Sequence, residues 1–128
     1  MNTAHRVVVA TAMTAAALLA ASTTAHAANY WLDSTDFVAV GWYETPSDEF
    51  GVRDTTQSDG KHAYAELHGV PAGGSLYQTW TVYSGSYGTN VTKTVHLKAG
   101  KAATLKVCTK TSRDASATNC AYKTFTPS

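Results

Sequence analysis

The chain has 128 residues, of which 44% are hydrophobic and 15% are charged, and its formal net charge at pH 7 is +1. A chain of this length is expected to form one domain. The ten lysines and arginines nearly balance the nine aspartates and glutamates, so no strong positive electrostatic field favours nucleic acid as a partner.

The N-terminus has the three parts of a secretory signal peptide. Met1–Arg6 carries one arginine, Val7–Ala21 is an apolar run, and Ala25-His26-Ala27 supplies the small residues that precede a cleavage site. The apolar run is shorter than the roughly 20 residues that a membrane-spanning helix needs. We therefore predict cleavage after Ala27, a secreted domain over residues 28–128 and no membrane span. An uncleaved anchor is the alternative.

Beyond residue 27, apolar and polar residues alternate with a period of two, which is typical of β-strands. Clusters of Gly, Pro, Asn, Asp and Ser separate these runs, and no stretch has the apolar stripe of a helix. The predicted strands are Asn29–Leu32, Phe37–Tyr43, Gly51–Asp54, Lys61–His68, Leu76–Tyr83, Asn90–Leu97, Ala102–Lys110 and Asn119–Phe125.

Three details of this pattern are specific enough to test. The second predicted strand is apolar on both faces apart from one glycine, which predicts a central strand with Trp42 inside. Ser58-Asp59-Gly60 is predicted to turn the chain, because Asp-Gly supplies the positive φ angles of tight hairpins. In the fifth strand, the alternation places Leu76 on the same face as Trp80 and Val82.

Short strands without a helix predict an all-β fold, a small antiparallel β-sandwich of about seven or eight strands, immunoglobulin-like in style. The Cys-Trp-Cys signature of immunoglobulin domains is missing, because Cys108 and Cys120 both lie near the C-terminus with no tryptophan between them. In an exported protein, this pair is expected to form one disulfide across the last hairpin.

Charge is balanced overall but divided along the chain. Residues 28–70 carry eight acidic side chains against two basic ones, whereas residues 71–128 carry seven basic side chains against one acidic one. Two interpretations stay open: acidic and basic strands lie side by side in one sheet, or the folded domain has a basic face for an acidic partner.

A metal site is the first chemical hypothesis. His62, Glu66 and His68 would project from one face of a strand, with His96 able to complete a mixed zinc site. The same pattern is typical of an ordinary polar strand face, and nothing in the sequence fixes a third ligand in space. We therefore predict no metal and no cofactor.

Catalysis by a nucleophilic serine is the second chemical hypothesis. Residues 85–88, Gly-Ser-Tyr-Gly, lack the spacing of the G-x-S-x-G nucleophile elbow. We predict that the protein is not an enzyme. A small secreted hydrolase is the alternative, and it would need a histidine beside an acid or nucleophile in a pocket, from among His62, His68 and His96.

Aromatic side chains give the best functional indication. The predicted domain has more tyrosines and tryptophans than one small core can enclose, so some of them must lie on the surface. Exposed aromatic rings that lie together form an amphipathic platform for sugar rings or for a protein partner. The residues that we predict to bind a ligand are Trp31, Tyr77, Tyr83 and Tyr87.

Two resemblances accompany these patterns. Arg53-Asp54, then residues 58–61 (Ser-Asp-Gly-Lys) ahead of an alternating strand, and the late pair Cys108 and Cys120 resemble small secreted proteins of actinobacteria. Those proteins are uncharacterised, and the resemblance implies a bacterial β-sandwich without a known activity. Residues 76–80 (Leu-Tyr-Gln-Thr-Trp) are similar to a segment of secreted β-sandwich inhibitors of α-amylase, which have two disulfides and an arginine after the tryptophan that this chain lacks.

The interpretation that these observations favour is an extracellular module that acts by binding, with a polysaccharide or a secreted protein as its partner. The alternative is an inhibitor of a secreted hydrolase that presents Ser84–Thr89 or Trp80–Tyr83 to the enzyme. An exposed, rigid loop at that position would distinguish the inhibitor from the binding module.

Overall fold

The computed structural model describes residues 28–57 and 59–128. The predicted signal peptide, residues 1–27, lies outside the described residues, as does Ser58 of the predicted turn. Gly60, which ends that turn, has a φ of 73°, the left-handed conformation that a glycine adopts without steric cost.

Eight strands make up the described regular structure, and no helix among the described residues is long and apolar enough to cross a bilayer. The strands are β1 (Asn29–Asp33), β2 (Ala39–Glu44), β3 (Glu49–Asp54), β4 (His62–Gly69), β5 (Gln78–Ser84), β6 (Asn90–Thr94), β7 (Ala103–Lys110) and β8 (Thr118–Phe125).

Two antiparallel sheets of four strands pack face to face. The first sheet has the order β1-β2-β3-β6 and the second has the order β5-β4-β7-β8. The prediction of an all-β antiparallel sandwich with about eight strands is therefore confirmed. Alternate residues of each strand point into the space between the sheets, as the period of two requires.

The core between the sheets is built from these inward-facing residues. Phe50 and Val52 of β3 face Leu67 of β4 and Leu105 of β7, and all four are completely buried. Because Leu67 and Leu105 are cross-strand neighbours, the two central strands of the second sheet present a continuous apolar row to the first sheet.

The predicted disulfide joins Cys108 of β7 to Cys120 of β8. These two strands are neighbours, so the bond crosses the last hairpin as expected. The pairing register shifts between Val107 and Thr109, next to the disulfide, which is a local bulge in the ladder.

Two of the detailed expectations need correction. Leu76 does not face the core: it is 76% exposed, because β5 begins only at Gln78 and Leu76 belongs to the preceding loop. Trp42 is buried, but not between the sheets. It alternates with the core residue Tyr43 and therefore lies on the outer face of the first sheet.

The turn between β1 and β2 is fixed by the carboxylate of Asp36. This carboxylate accepts hydrogen bonds from the Ser34 hydroxyl at 2.7 Å, the Val38 amide at 3.3 Å, and Lys61 Nζ and the Thr109 hydroxyl, both at 3.2 Å. Burial works against ionisation, but these donors outweigh it and hold the pKa of Asp36 below its ordinary value.

Candidate ligand-binding surfaces

The outer face of the first sheet is built from three cross-strand rows, which the antiparallel register defines. The middle row is aromatic, and the rows on either side of it are mainly polar. From β1 to β6, the rows are Asn29, Glu44, Glu49 and Thr94; then Trp31, Trp42, Gly51 and Thr92; then Asp33, Val40, Arg53 and Asn90.

Trp31 and Trp42 form a stacked pair in the middle row, which we call the tryptophan platform. The indole of Trp42 lies over Gly51, where an added Cβ would be only 2.5 Å from Cζ2 of the ring. Trp31 stacks on Trp42 with ring centroids 4.8 Å apart and an interplanar angle of 19°. Trp42 is 3% exposed and Trp31 is 50% exposed, so the platform presents one indole to solvent.

Carboxylates border the platform. Nε1 of Trp42 donates to Oε1 of Glu49 over 3.4 Å, a long hydrogen bond that orients the buried indole. Glu44 lies directly opposite Glu49, and both belong to the row on one side of the platform. Asp33 belongs to the row on the other side of the platform. No lysine or arginine of the described residues forms an ion pair with these three side chains, which leaves their oxygens as acceptors beside the exposed ring.

The other three predicted aromatic residues lie elsewhere. Tyr77 stacks on His68, with centroids 5.1 Å apart, and Tyr83 lies on the same outer face of the second sheet. Six positions along an extended chain separate these tyrosines by roughly 20 Å. Tyr87 lies in the loop after β5, where it forms an isolated bridge with Asp54. The four predicted residues therefore do not form one surface, and Trp31 faces away from Tyr77 and Tyr83.

Three further aromatic residues form or support these surfaces and were not predicted to do so from the sequence. Trp42 supports Trp31, a pairing that appears only once the register of β1 on β2 is known. Phe37 was placed in a strand, but it lies in the β1–β2 turn with a φ of 60°, exposed beside Asp36. Tyr122 projects from β8, and simple alternation along that strand would have placed it outside.

The candidate metal ligands are not brought together. His62, Glu66 and His68 follow one another along β4, and the Glu66 carboxylate accepts a 2.6 Å hydrogen bond from Tyr64. His96 lies in the segment after β6, where its Nδ1 is 2.6 Å from the Asp48 carboxylate. Within the described part of the chain, no group of three or more His, Cys, Asp or Glu side chains is arranged to hold a metal ion.

Two histidines lie beside carboxylates, the arrangement that the hydrolase hypothesis requires. His96 pairs with Asp48, and Nδ1 of His62 lies 3.7 Å from the buried carboxylate of Asp54 without a hydrogen-bond partner. Neither ring is hydrogen-bonded to a serine among the described residues, and no pocket is found over residues 28–57 and 59–128.

Comparison with known proteins finds no matching family model, no matching curated protein and no matching solved structure. Any function assigned to the chain therefore rests on its own residues. In the tryptophan platform, a glycine supports the first indole and the first indole supports the second.

Proposed function

We propose that this protein is an extracellular binding module that holds an uncharged polysaccharide on the tryptophan platform. The observation that carries the proposal is the half-exposed indole of Trp31, stacked parallel on Trp42 on an open sheet face. A fixed, flat ring of this kind offers an apolar face to the apolar face of a pyranose ring.

Rigidity favours this surface over the other exposed aromatic residues. Trp42 cannot move toward the sheet, because its ring already contacts the backbone at Gly51, and Glu49 holds its Nε1. The stack on Trp42 therefore restricts the orientation of Trp31 before any ligand arrives. A preorganised ring loses little conformational entropy on binding, which increases the affinity gained from each contact.

The shape and charge of the surface favour an uncharged polymer. The platform is flat, and no pocket occurs in the described residues, whereas small-molecule ligands are usually enclosed in a concave site. The carboxylates of Asp33, Glu44 and Glu49 accept hydrogen bonds from sugar hydroxyls and repel acidic sugars. A neutral polysaccharide chain lying across the sheet suits both the open shape of the platform and its border of carboxylates.

The proposed compartment rests on the sequence. The leader has the length and cleavage pattern of a signal peptide, and the disulfide joining Cys108 to Cys120 is of the kind that persists in oxidising surroundings. The resemblance to secreted actinobacterial proteins supports a bacterial origin. An exported protein of this kind would meet polysaccharides of the cell wall or of the surroundings.

A depletion assay tests the proposal. Oxidised protein comprising residues 28–128 is mixed with insoluble cellulose, chitin, starch and peptidoglycan, and the protein left in solution is measured. Trp31→Ala is compared with Tyr77→Ala, which removes a ring of nearly equal exposure, 51%, from the opposite face. We expect depletion by one polymer, a loss of about tenfold or more in affinity for Trp31→Ala, and little change for Tyr77→Ala.

Two results would contradict the proposal. If no polymer depletes the wild-type protein, the platform does not bind polysaccharide. If Trp31→Ala and Tyr77→Ala bind equally well while both retain the wild-type unfolding transition, the polymer is held by another surface.

An inhibitor of a secreted hydrolase is the second candidate, because the Ser84–Thr89 loop is exposed and tightly fixed. The buried hydroxyl of Ser84 donates to the carbonyl oxygens of Thr89 at 2.8 Å and Ser86 at 3.2 Å. The amide of Gly88 donates to the carbonyl of Asp54 at 2.8 Å. These bonds hold Tyr87 outward at the tip of the loop, as an enzyme-binding loop requires.

Inhibition assays distinguish this second candidate. The protein is added at micromolar concentration to an α-amylase, a xylanase, a chitinase and a serine protease. Inhibition that Tyr87→Ala abolishes and Trp31→Ala preserves would favour the inhibitor. Unchanged rates for every enzyme would leave the polysaccharide proposal as the better one.

A further inference from the structure

The outer face of the second sheet pairs tyrosines with cations. Three tyrosine rings lie on this face, one each from β5, β4 and β8, and a cationic group lies over each of them. We call this set the tyrosine–cation face. The pairs are Lys110 with Tyr64 at 4.0 Å, Arg113 with Tyr83 at 4.6 Å, and Lys106 with Tyr122 at 5.7 Å from the ring centroid.

Positive charge exceeds negative charge on this face. Glu66 is the only carboxylate among the described residues of β4, β5, β7 and β8, and it lies 3.7 Å from Lys106. The loop between β7 and β8, which supplies Arg113, adds one more carboxylate, the exposed Asp114. Lys110 and Arg113 have no aspartate or glutamate partner in the described part of the chain. Lys110 instead donates to the backbone carbonyl of Arg113 at 3.3 Å. The rings that Lys110 and Arg113 cover are cross-strand partners, so the two cations lie over neighbouring rings.

The two outer faces of the sandwich therefore have opposite character. The first sheet presents three carboxylates and Arg53 around the tryptophan platform, whereas the second, with its β7–β8 loop, presents three cations against Glu66 and Asp114. The uneven charge along the chain thus separates in space in large part: acidic β1–β3 occupy the first sheet and basic β7 lies in the second, while β4 and β6 lie in the sheet of the other half. This separation gives each face a preference for a different charge on its partner.

We propose that the tyrosine–cation face binds an acidic polysaccharide whose sugars carry carboxylates. Lys106, Lys110 and Arg113 would meet the carboxylates, and the ring of Tyr122, 63% exposed, would meet an apolar sugar face. An open face without a pocket suits a polymer, because several weak contacts must act together. This inference goes beyond the proposed function, since it involves neither Trp31 nor the first sheet.

Retention on immobilised polygalacturonate, eluted with a salt gradient, tests the inference. The variant Lys106→Gln/Lys110→Gln/Arg113→Gln is compared with Lys93→Gln/Lys98→Gln/Lys101→Gln, which removes the same charge outside this face. Each exposed contact contributes a factor of about two to five, so the first variant should bind about tenfold to a hundredfold more weakly. The control should remain within about twofold of the wild type.

A second comparison measures the retention of Tyr122→Ala and of Tyr87→Ala on the same column. Both variants leave the three cations in place. Only Tyr122→Ala should weaken retention, by about threefold or more. The inference is overturned if the wild type passes through the column at low salt, if both triple variants weaken equally, or if Tyr122→Ala binds as the wild type does. Tighter binding to single-stranded DNA than to polygalacturonate would also overturn it. None of these results depends on whether the platform binds a neutral polymer.

Discussion

Gly51→Ala tests whether the tryptophan platform depends on the glycine beneath it. The added methyl would lie 2.5 Å from Cζ2 and 2.7 Å from Cε2 of Trp42, and 2.9 Å from Cγ2 of Thr92. Carbon atoms in contact are normally about 3.5–4.0 Å apart, so the indole would have to move outward by about 1 Å. Trp31, which stacks on that indole, would lose its present support.

The expected cost follows from the size of this clash. Overpacking of one methyl group typically destabilises by about 1–3 kcal/mol, and the loss of a parallel stack adds about 0.5–1.5 kcal/mol. Alanine in a strand recovers about 0.5–1 kcal/mol of the backbone entropy that glycine loses. We therefore expect the free energy of unfolding to fall by about 1–3 kcal/mol and polysaccharide binding to weaken, although both tryptophans remain.

Urea denaturation, near-ultraviolet circular dichroism and the depletion assay measure these effects together. Gly73→Ala is the matched control, because a Cβ at that position would have no neighbour within 4 Å. If Gly51→Ala were as stable as Gly73→Ala, with the same tryptophan dichroism and the same binding, the contact between Trp42 and Gly51 would not support the platform.

Three further predictions concern the framework of the fold. At pH 7, Asp36→Asn should lower the free energy of unfolding by about 2 kcal/mol in urea titrations, since it weakens hydrogen bonds to an ionised, mostly buried group. Because the pKa of Asp36 is lowered in the folded state, its contribution is present above about pH 4, the ordinary pKa of an aspartate, and is lost as the pH falls through the folded-state pKa. The difference in stability between wild type and variant should therefore shrink as the pH falls below about 4, and a constant difference would refute this. Tyr43→Phe should lower the free energy of unfolding by about 1–2 kcal/mol in the same titration. The Tyr43 hydroxyl lies 2.8 Å from the carbonyl oxygen of Val95 and 3.0 Å from Oδ1 of Asp48, and both acceptors would lose this donor. Wild-type stability of the variant would refute the prediction. Reduction of the disulfide should lower the free energy of unfolding by about 3 kcal/mol, the chain-entropy value for a loop of roughly 13 residues. It should leave polysaccharide binding to the platform intact. Loss of binding in reduced protein that remains folded would refute this prediction.

Alternation was enough to predict the fold because it is a property of each strand alone. In β4, Ala65 and Leu67 face the core while Glu66 and His68 face outward, as the sequence indicates. Alternation was insufficient to predict exposure near the end of a strand, because it does not show where the strand begins or ends. Leu76 continues the apolar pattern of β5, but the backbone leaves the sheet before Gln78, so its side chain lies in solvent.

The candidate site required information that one strand does not contain. Trp31 could be named as a binding residue from its type, but its partner Trp42 depends on the register of β1 against β2. The burial of Trp42 on the outer face depends in turn on a glycine that β3 places opposite it. Pairings between strands, rather than propensities within them, determine which aromatic residues lie together.

An NMR titration tests the polysaccharide proposal most directly. The protein has three tryptophans, and Trp80, partly buried against the core from the second sheet, is an internal control for Trp31 and Trp42. Indole N–H signals are followed while cellohexaose, chitohexaose or maltohexaose is added. The proposal predicts that one of these sugars shifts the Trp31 signal saturably, moves Trp42 less and leaves Trp80 unchanged. Unmoved signals for all three tryptophans, or a shift of Trp80 as large as that of Trp31, would contradict it.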